Sequence, residues 1–277
     1  MPEGHTIHRL AADHRERFEG RAVAASSPQG KFSDSAALVT GQVLTTAEAH
    51  GKHLFLGFAE TGWIHIHLGL FGKVTLGTAP PPPPTDTVRL RLVNDTAYTD
   101  LRGPTTCALI TDEEKQAIHA RLGPDPLRPR SAEGNDPDAA WRRVSRSRTT
   151  VAALLLDQKV VAGVGNVYRA EVLFRHGIDP YTPGKDLTYA RWTAIWADLV
   201  ELMREGVRLN RIDTVRPEHT PEAMGRPPRV DDHGGEVYVY RRARQACHLC
   251  GGEIRTAELA ARNLFWCPTC QPPANRS

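Results

Sequence analysis

The spacing of hydrophobic and polar positions divides the chain into stretches of different periodicity. After Gly4, apolar residues recur every three to four positions as far as Phe18, which predicts an amphipathic helix. From Val43 to Leu92 the period falls to two, in several short runs. From about residue 138 to residue 211 the helical spacing returns. One leading helix and several strands predict an N-terminal β-sandwich or β-barrel, followed by a helical domain.

The helical stretch contains a glycine-rich turn. One predicted helix ends at Gln158, residues 163–166 (Gly-Val-Gly-Asn) form a turn, and Asn166 opens a second helix that continues through Val167, Ala170 and Phe174. Gly177 is the expected C-cap of this second helix, and a third long helix is predicted over 187–208. Glycines in such a turn let the backbone approach a phosphate, and the N–H groups of the next helix can point at it. Alone, such a turn is more often only a tight connection.

Proline-rich segments interrupt these patterns. Pro80–Pro84 cannot donate ladder hydrogen bonds, so we expect a surface loop between strands. Residues 123–137 are rich in proline, glycine and charge, and they predict a linker between the first two domains. A third irregular stretch, 217–235, is expected to form a mobile loop.

Length and charge narrow the class of protein. With 277 residues the chain exceeds a usual single core, and its net charge of +3 means that any nucleic-acid surface must be local. No apolar run reaches the roughly 20 residues of a membrane span. The N-terminus also lacks the basic and apolar regions of a secretory signal. We therefore expect a cytoplasmic protein with reduced cysteines and no membrane partner.

A paired-cysteine array near the C-terminus carries the strongest chemical signal. It consists of two C-x2-C pairs separated by 16 residues: Cys247, Cys250, Cys267 and Cys270. Such spacing is typical of a zinc site, because four thiolates can occupy the corners of a tetrahedron around one metal ion. With all four positions filled by protein, the ion is expected to be structural. A pair of disulfides is the alternative, although nothing marks a secreted protein.

Arginines surround this cysteine array. Only two glutamates accompany them. The five arginines in the array or just before it are Arg241, Arg242, Arg244, Arg255 and Arg262. A basic patch on a zinc-held hairpin suits phosphate oxygens and favours nucleic-acid binding. A solvated charged face explains the same pattern without any ligand.

Three motifs in one order resemble a known family. They are the start Met1-Pro2-Glu3-Gly4, the stretch LLLDQKVVAGVGNVYRAEVLF over 154–174, and the ending RNLFWCPTCQ over 262–271. Together they are similar to the formamidopyrimidine-DNA glycosylase and endonuclease VIII family, with the start MPEGHT closest to the endonuclease VIII-like branch of actinobacteria. The resemblance covers nearly the whole chain.

The resemblance implies an α+β multidomain fold. Its parts are an N-terminal β-sandwich with a leading helix (1–122), a linker (123–137), a helix–two-turn–helix domain (138–235) and a C-terminal zinc-finger hairpin (236–277). It also implies one structural Zn²⁺ and a monomer that acts on damaged DNA.

The family's activity places three catalytic residues in this chain. Pro2 matches the N-terminal proline whose secondary amine, exposed when Met1 is removed, attacks the sugar C1′ and forms a Schiff base that permits β,δ-elimination. Glu3 matches the general acid and base. Lys52, in the predicted turn Gly51-Lys52-His53, matches the hairpin lysine that binds phosphate beside the lesion. Without the family, these would be an ordinary second residue, a helix-start acid and a solvated lysine.

The resemblance also implies a set of DNA contacts. Asn166 matches the phosphate-binding asparagine of the second helix, and Arg262 matches the phosphate-binding arginine of the finger. Lys159 and Tyr168 are further backbone contacts, although Tyr168 is equally compatible with packing. Ala261 stands where many members have glycine, so the finger turn is expected to differ slightly.

A flipped nucleotide leaves a gap in the duplex that the enzyme must fill. Leu70 is the candidate wedge with Phe71 beside it, and both are also compatible with packing inside the sandwich. Arg102 resembles the arginine that faces the orphaned base, but Gly103-Pro104 follows it in place of the aromatic wedge of the purine-repair branch. His5-Thr6 replaces the Pro-Glu of many members. The missing aromatic wedge and the pair Leu70-Phe71 favour oxidised pyrimidines over 8-oxoguanine as substrates, whereas His5-Thr6 leaves the lesion preference open.

Two other functions compete with a glycosylase and lyase. A non-enzymatic binder of damaged or abasic DNA would keep Asn166, Arg262 and the zinc but perform no chemistry. A zinc-ribbon regulator would bind a defined sequence, and it leaves Pro2, Glu3 and the glycine turn unexplained.

Overall fold

The computed structural model describes residues 2–132, 134–230 and 235–273, in two compact units divided between residues 121 and 122. Unit 1 contains α1 (Gly4–Phe18), β1 (Ala24–Ser26), α2 (Ser33–Val39), β2 (Leu44–His50), β3 (His53–Phe58), β4 (Gly62–His67), β5 (Lys73–Thr78), β6 (Val88–Val93), β7 (Ala97–Arg102), β8 (Thr106–Ile110) and α3 (Asp112–His119).

Unit 1 is a sandwich of two antiparallel four-stranded sheets, which confirms the β-sandwich prediction. One sheet has the order β1-β6-β7-β5 and the other has the order β2-β3-β4-β8. Alternate side chains from both sheets, among them Leu54, Ile64 and Leu92, fill one common core. The apolar positions of the alternating sequence pattern are therefore the inward-facing positions of each strand.

The leading helix α1 packs on β2 and β3 and runs antiparallel to β2. Its apolar stripe is buried, from Ile7 at one end to Phe18 at the other. Near its C-terminus, the Arg15 guanidinium donates to the Ala47 carbonyl, and Gly20 N–H donates to the Leu44 carbonyl over 2.9 Å. The helix end thus lies beside the start of β2, and the helix start points toward the end of β2.

Unit 2 combines helices with a two-stranded hairpin. Its elements are α4 (Pro137–Val144), α5 (Val151–Leu156), α6 (Asn166–Arg175), α7 (Tyr189–Leu209), α8 (Pro221–Met224), β9 (Arg255–Leu259) and β10 (Arg262–Trp266). The hydrophobic core of the helices continues into the hairpin, where Leu264, Phe265 and Cys267 join it. The predicted helical domain and C-terminal finger therefore share one core. Of the predicted loop 217–235, residues 231–234 lie outside the described residues.

The predicted C-terminal end of α6 is confirmed, whereas that of α5 is wrong. After α6, Gly177 has φ +59°, and the N–H groups of Gly177 and Ile178 bond to Phe174 and Leu173 carbonyls at 3.0 and 2.9 Å. This Schellman arrangement confirms the predicted glycine cap. The prediction for α5 was wrong in length, because the helix ends at Leu156 and Gln158 belongs to the turn that follows.

The segment 123–137, predicted as a linker, is packed into unit 2 instead. Asp125 and Asn135 are buried, and the Asn135 side chain accepts from Asp125 N–H at 2.6 Å and donates to the Arg128 carbonyl at 2.9 Å. Gly123 N–H also bonds to the Gln158 carbonyl over 2.8 Å. Proline supplied the signal for a linker, but here it marks a folded loop tied together by one asparagine.

The longest helix, α7, has 21 residues, with Thr188 as its side-chain N-cap and Asn210 in the left-handed region at φ 54°. Within the described ranges, no helix combines the length and the apolar character required to cross a membrane.

Candidate functional site

The predicted nucleophile and acid stand at the head of α1. Glu3 is the N-cap residue, its side chain is fully buried, and its carbonyl accepts from Thr6 N–H over 3.0 Å. Pro2 precedes it and is partly exposed, while Met1 lies outside the described residues. The positive end of the α1 dipole therefore lies beside both residues.

The lengths of α1 and β2 indicate that Lys52 lies toward the same end of unit 1 as Pro2 and Glu3. It occupies the two-residue turn between β2 and β3, where His50 pairs with His53 across the ladder. The end of α1 lies beside Leu44, about 20 Å along β2 from this turn at about 3.3 Å per residue. Helix α1 has 15 residues. At about 1.5 Å per residue it spans roughly 22 Å, so its start is level with the Lys52 turn.

His5 and Thr6, which replace the family's Pro-Glu, lie in the first turn of α1, where His5 is buried and Thr6 is half-buried. His5 is almost fully buried, and its Nε2 lies 3.3 Å from the Thr6 hydroxyl. Burial, followed by the charge of the amino terminus and by His8, lowers the pKa of His5 to about 4. A neutral imidazole therefore stands behind the head of α1 at physiological pH.

The two candidate wedge residues occupy the loop after β4. Leu70 is 52% exposed and Phe71 is 83% exposed, which rules out their packing in the sandwich. Glycines bracket them: a Cβ on Gly69, at φ +67°, would lie 1.9 Å from Thr105 Oγ1, and one on Gly72 would lie 2.3 Å from the Leu68 carbonyl oxygen. The loop thus holds two large apolar side chains in water without collapsing, which is typical of a binding element.

Arg102 ends β7 beside this loop. Its guanidinium donates to Asp100 at 2.9 Å, and the same carboxylate accepts two hydrogen bonds from buried Arg91 at 2.7 and 2.8 Å. The following Gly103 lies close to the backbone of Phe71. Leu70, Phe71 and Arg102 are therefore gathered at one edge of unit 1, with Arg102 oriented by a carboxylate that is itself fixed.

The glycine-rich turn of unit 2 is held by Gln158, which was predicted to end the preceding helix. The Gln158 amide donates to the carbonyls of Leu156 and Val164, both at 2.9 Å, and accepts from Gly163 N–H at 3.0 Å. One side chain thus fixes both ends of the turn. Lys159, beside it, is exposed, as a phosphate contact requires.

Asn166 opens α6, as predicted, but its side chain is buried and already engaged. Its amide donates to the Asn263 carbonyl at 2.8 Å, and the guanidinium of fully buried Arg169 donates to its carbonyl oxygen. Arg169 also reaches the Asn263 carbonyl at 3.2 Å. Sequence analysis missed Arg169, although its position three residues after Asn166 places both on one helix face.

Tyr168 does not support the predicted phosphate contact. Its side chain is fully buried within the core of unit 2. Of the two roles open to it from sequence, packing is the one that the structure favours.

The four cysteine sulfurs converge at a geometry that suits zinc. Their Sγ atoms all lie within 4.8 Å of one another, with Cys247–Cys270 at 3.8 Å and Cys250–Cys267 at 3.5 Å. Tetrahedral zinc with bonds of about 2.3 Å separates its sulfurs by about 3.8 Å, whereas a disulfide needs about 2.0 Å. Backbone N–H groups of Leu249 and Gly252 approach sulfurs at 3.5 and 3.4 Å. The residues fit one structural Zn²⁺, and the disulfide alternative is excluded.

Arg262 stands on the tip of the zinc hairpin. The turn residues Ala260 and Ala261 both have positive φ, 53° and 55°, so the tip adopts a conformation that favours glycine or asparagine. Arg262 follows the turn and is exposed. Arg242, by contrast, does not belong to the surface patch, because it is buried and bonds to the Tyr238 and Ala246 carbonyls.

A third buried residue of α6 ties the finger to the helices. The Glu171 carboxylate accepts from three consecutive backbone N–H groups, those of Tyr238, Val239 and Tyr240, at 2.7, 2.9 and 2.8 Å. It also accepts from the Thr214 hydroxyl at 2.6 Å. A glutamate inside an apolar helix, in the run YRAEVLF, was the signal that could have identified it.

Comparison with known proteins places three family models on the chain. The formamidopyrimidine-DNA glycosylase N-terminal domain matches residues 1–107, the H2TH domain of the same glycosylase matches residues 122–216, and the zinc finger found in FPG and IleRS matches residues 244–273.

Full-length relatives support the same assignment. The chain is 51% identical to endonuclease 8 1 of Mycobacterium tuberculosis over 275 residues, which covers 98% of this chain and 100% of the relative. It is 30% identical to the formamidopyrimidine-DNA glycosylase of Parasynechococcus marenigrum, with coverage of 98% and 99%. Among solved structures, Lactococcus lactis Fpg in complex with DNA that contains an abasic site matches with a TM-score of 0.75 at 22% identity, covering 98% and 99%.

Proposed function

Because the chain belongs to the formamidopyrimidine-DNA glycosylase and endonuclease VIII family, we propose that it is a DNA glycosylase with abasic-site lyase activity. It would act in base excision repair on damaged DNA. The observation that carries this proposal is Pro2 followed by fully buried Glu3 at the head of α1, in the same unit as the turn that presents Lys52.

The Pro2 amine is the proposed nucleophile once Met1 has been removed. Its nitrogen forms a bond to the sugar C1′ while the bond from C1′ to the damaged base breaks. Loss of the amine proton and opening of the C1′–O4′ bond give an iminium, which withdraws electrons from the sugar. Removal of a C2′ proton then expels the 3′ phosphate, and a second elimination expels the 5′ phosphate.

Glu3 and Lys52 are the proposed partners of the nucleophile. The Glu3 carboxyl group adjoins Pro2 and is fully buried, so it is placed to donate a proton to the sugar ring oxygen and later to accept one. The Lys52 ammonium, on a turn at the same end of the unit, is placed to bind the phosphate beside the lesion.

The proposed DNA contacts come from both units. In unit 1, Leu70 with Phe71 would fill the gap left by the flipped nucleotide, and Arg102 would face the orphaned base. In unit 2, exposed Lys159 and Arg262 would bind phosphates. The Asn166 amide donates to the Asn263 carbonyl, so it would have to break this hydrogen bond in order to donate to a phosphate. Alternatively, the backbone N–H groups at the start of α6 would bind the phosphate.

Oxidised pyrimidines are the proposed substrate class. The support is the 51% identity to an endonuclease 8, against 30% to a formamidopyrimidine-DNA glycosylase, together with Gly103-Pro104 after Arg102. The protein is expected in the cytoplasm, because four thiols at metal-binding distance need a reducing compartment.

Borohydride trapping on a duplex with an abasic site tests the proposal. Protein that mass spectrometry shows to begin at Pro2 should give a covalent protein–DNA band, and protein that retains Met1 should not. Glu3→Gln should slow trapping by on the order of a hundredfold, the usual contribution of a positioned acid or base. No band from protein that begins at Pro2 would leave a zinc-dependent DNA binder. Cleavage of duplexes with thymine glycol and with 8-oxoguanine then tests the substrate class, with the pyrimidine lesion expected to react faster.

A further inference from the structure

A cluster of histidines covers part of the outer face of the sheet β2-β3-β4-β8, and neither the proposed chemistry nor the core uses it. Along β3 and β4 the inward side chains, such as Leu54 and Ile66, belong to the sandwich core. The alternate positions point outward, and three of them carry imidazoles. This histidine cluster comprises His50, His53, His65, His67 and His119.

The cluster is built from two imidazole pairs in hydrogen-bonding contact. His53 Nδ1 lies 2.8 Å from His65 Nε2, with the rings stacked at 5.1 Å and 20°. His50 Nδ1 lies 3.2 Å from His119 Nδ1. A nitrogen can accept a hydrogen bond only when it carries no proton, so neither pair can form while both of its rings are charged.

Both pairs hold the base of the turn that presents Lys52. His50 and His53 are opposite each other in the ladder, directly flanking Gly51-Lys52. His53 connects its strand to β4 through His65, and His50 connects its strand to α3 through His119. Each side of the hairpin is therefore tied to a different neighbouring element.

Helix α3, which supplies His119, is itself anchored on this face. Lys115 Nζ lies 2.8 Å from Glu48 of β2 and 3.2 Å from the centre of the Trp63 ring. Trp63 in turn donates to Asp112 at 2.7 Å. The helix thus offers His50 a fixed partner.

The surroundings oppose protonation of the cluster. Burial, followed by His65, His67, His50 and His119, lowers the pKa of His53 to about 3. Burial, followed by His67 and Arg121, lowers the pKa of His65 to about 4. Burial and then the Lys52 ammonium lower the pKa of His67. The other charged groups that face the cluster are Lys115, Glu48 and Asp112.

We propose that the pairs His53–His65 and His50–His119 are positioning residues that clamp the Lys52 hairpin while their rings are neutral, so that acidification opens it. The effect on catalysis rests on the proposed function of Lys52, whereas the clamp itself does not. In the open hairpin the rings regain an ordinary pKa near 6.5, so protons favour opening below that pH. Two such rings increase the open population on the order of thirtyfold between pH 6.5 and pH 5.5.

Hydrogen–deuterium exchange on the full-length zinc-bound protein tests the clamp without any use of activity. Exchange of residues 44–67 is compared with that of β6 and β7, which removes the pH dependence of intrinsic exchange. The ratio should rise steeply from pH 6.5 to pH 5.5 in the unmodified protein. In the double variant His53→Asn with His65→Gln, amides replace the bonded nitrogens but do not titrate, so the rise should shrink at least fivefold. An equal rise in both proteins, or no rise in either, overturns the proposal.

Single-turnover cleavage of preformed abasic sites at pH 7.5 tests the link to Lys52. His53→Leu should lower the cleavage rate about tenfold, leave DNA affinity within twofold, and be rescued by His53→Asn to within threefold. The matched control is His219→Asn, which alters an imidazole bonded to Tyr238 in unit 2. An unchanged rate in His53→Leu overturns the positioning role. If the unmodified protein does not cleave abasic sites but its hydrogen–deuterium exchange still depends on pH through the histidines, the clamp is supported and the proposed function is wrong.

Discussion

Two hairpins in this protein each present a basic side chain at or directly after the turn, and they are stabilised in different ways. The hairpin of β2 and β3 carries Lys52 and lies within a four-stranded sheet. Its inner face belongs to the sandwich core, and side chains of α3 contact its outer face. The hairpin of β9 and β10 carries Arg262 and has no third strand among the described residues.

The second hairpin compensates for its small size with a metal centre and buried polar groups. Four cysteines converge below it, and Asn166 with Arg169 bonds to its Asn263 carbonyl. Glu171 holds the segment that leads into it. A two-stranded hairpin is only marginally stable alone, so these ties determine where Arg262 lies. The comparison teaches that the proposed catalytic lysine is placed by burial, whereas the proposed phosphate-binding arginine is placed by coordination.

Removal of the zinc should separate the two hairpins most sharply. Cys267→Ser, or chelation, should unfold the finger and weaken binding to an abasic-analogue duplex by at least about a hundredfold, because metal binding supplies the folding free energy of such a module. Exchange protection of residues 44–67 should remain. Cys107→Ser is the matched control, since Cys107 lies in β8 outside the centre. Retained DNA affinity in a zinc-free protein would contradict the comparison.

Truncation of Glu171 should produce the next largest effect, again confined to unit 2. Glu171→Ala leaves three buried N–H groups without their acceptor and should destabilise unit 2 by about 3 kcal/mol. Glu171→Gln keeps one acceptor oxygen and should lose less. Urea unfolding followed by tryptophan fluorescence measures both, because all the tryptophans except Trp63 lie in unit 2. Equal losses in the two variants would show that the hydrogen bonds to the segment 238–240 contribute little.

Acidification should act on the first hairpin instead. The pKa values of His53 and His65 in the folded protein, about 3 and about 4, lie below the ordinary value near 6.5. The unfolded chain therefore binds more protons as the pH falls below 6.5, and stability decreases toward pH 4. For two imidazoles the loss between pH 6.5 and pH 5.5 is about 2 kcal/mol. Thermal unfolding of the His53→Asn and His65→Gln double variant should show a smaller loss, and an identical loss would exclude these two rings.

The smallest effect is expected at the tip of the second hairpin, with the opposite sign. Ala261 adopts φ 55°, which an L-residue with a Cβ avoids. Ala261→Gly should relieve this strain and stabilise the finger by about 0.5 kcal/mol after the entropy of the unfolded glycine is included. Ala257→Gly, within regular strand β9, is the control and should destabilise it. Zinc affinity in a chelator competition reports both, and a weaker site in Ala261→Gly would refute the strain.

The elements that could be predicted from sequence are those with local causes. The stripe from Ile7 to Phe18 gave α1, and alternation gave the strands of the sandwich. The glycine cap at Gly177 was likewise confirmed. Each of these elements is determined by residues a few positions apart along the chain, so the spacing of residue types in the sequence is sufficient to predict it. The prediction that 123–137 forms a linker was wrong. It rested on the local proline content, whereas the folding of this segment depends on hydrogen bonds of Asn135 and Gln158.

The sequence by itself determined the family motifs, the order of the domains and the zinc ligands, because two C-x2-C pairs are sufficient to define a tetrahedral site. Only the tertiary structure decided which polar side chains hold these parts in place. His50 meets His119 across 69 positions and Glu171 meets Tyr238 across 67, and no local pattern encodes such pairs. A buried imidazole or carboxylate is tolerated only where distant backbone brings its partners to it. For that reason Gln158, Arg169, Glu171 and the histidine cluster emerged only from the folded chain.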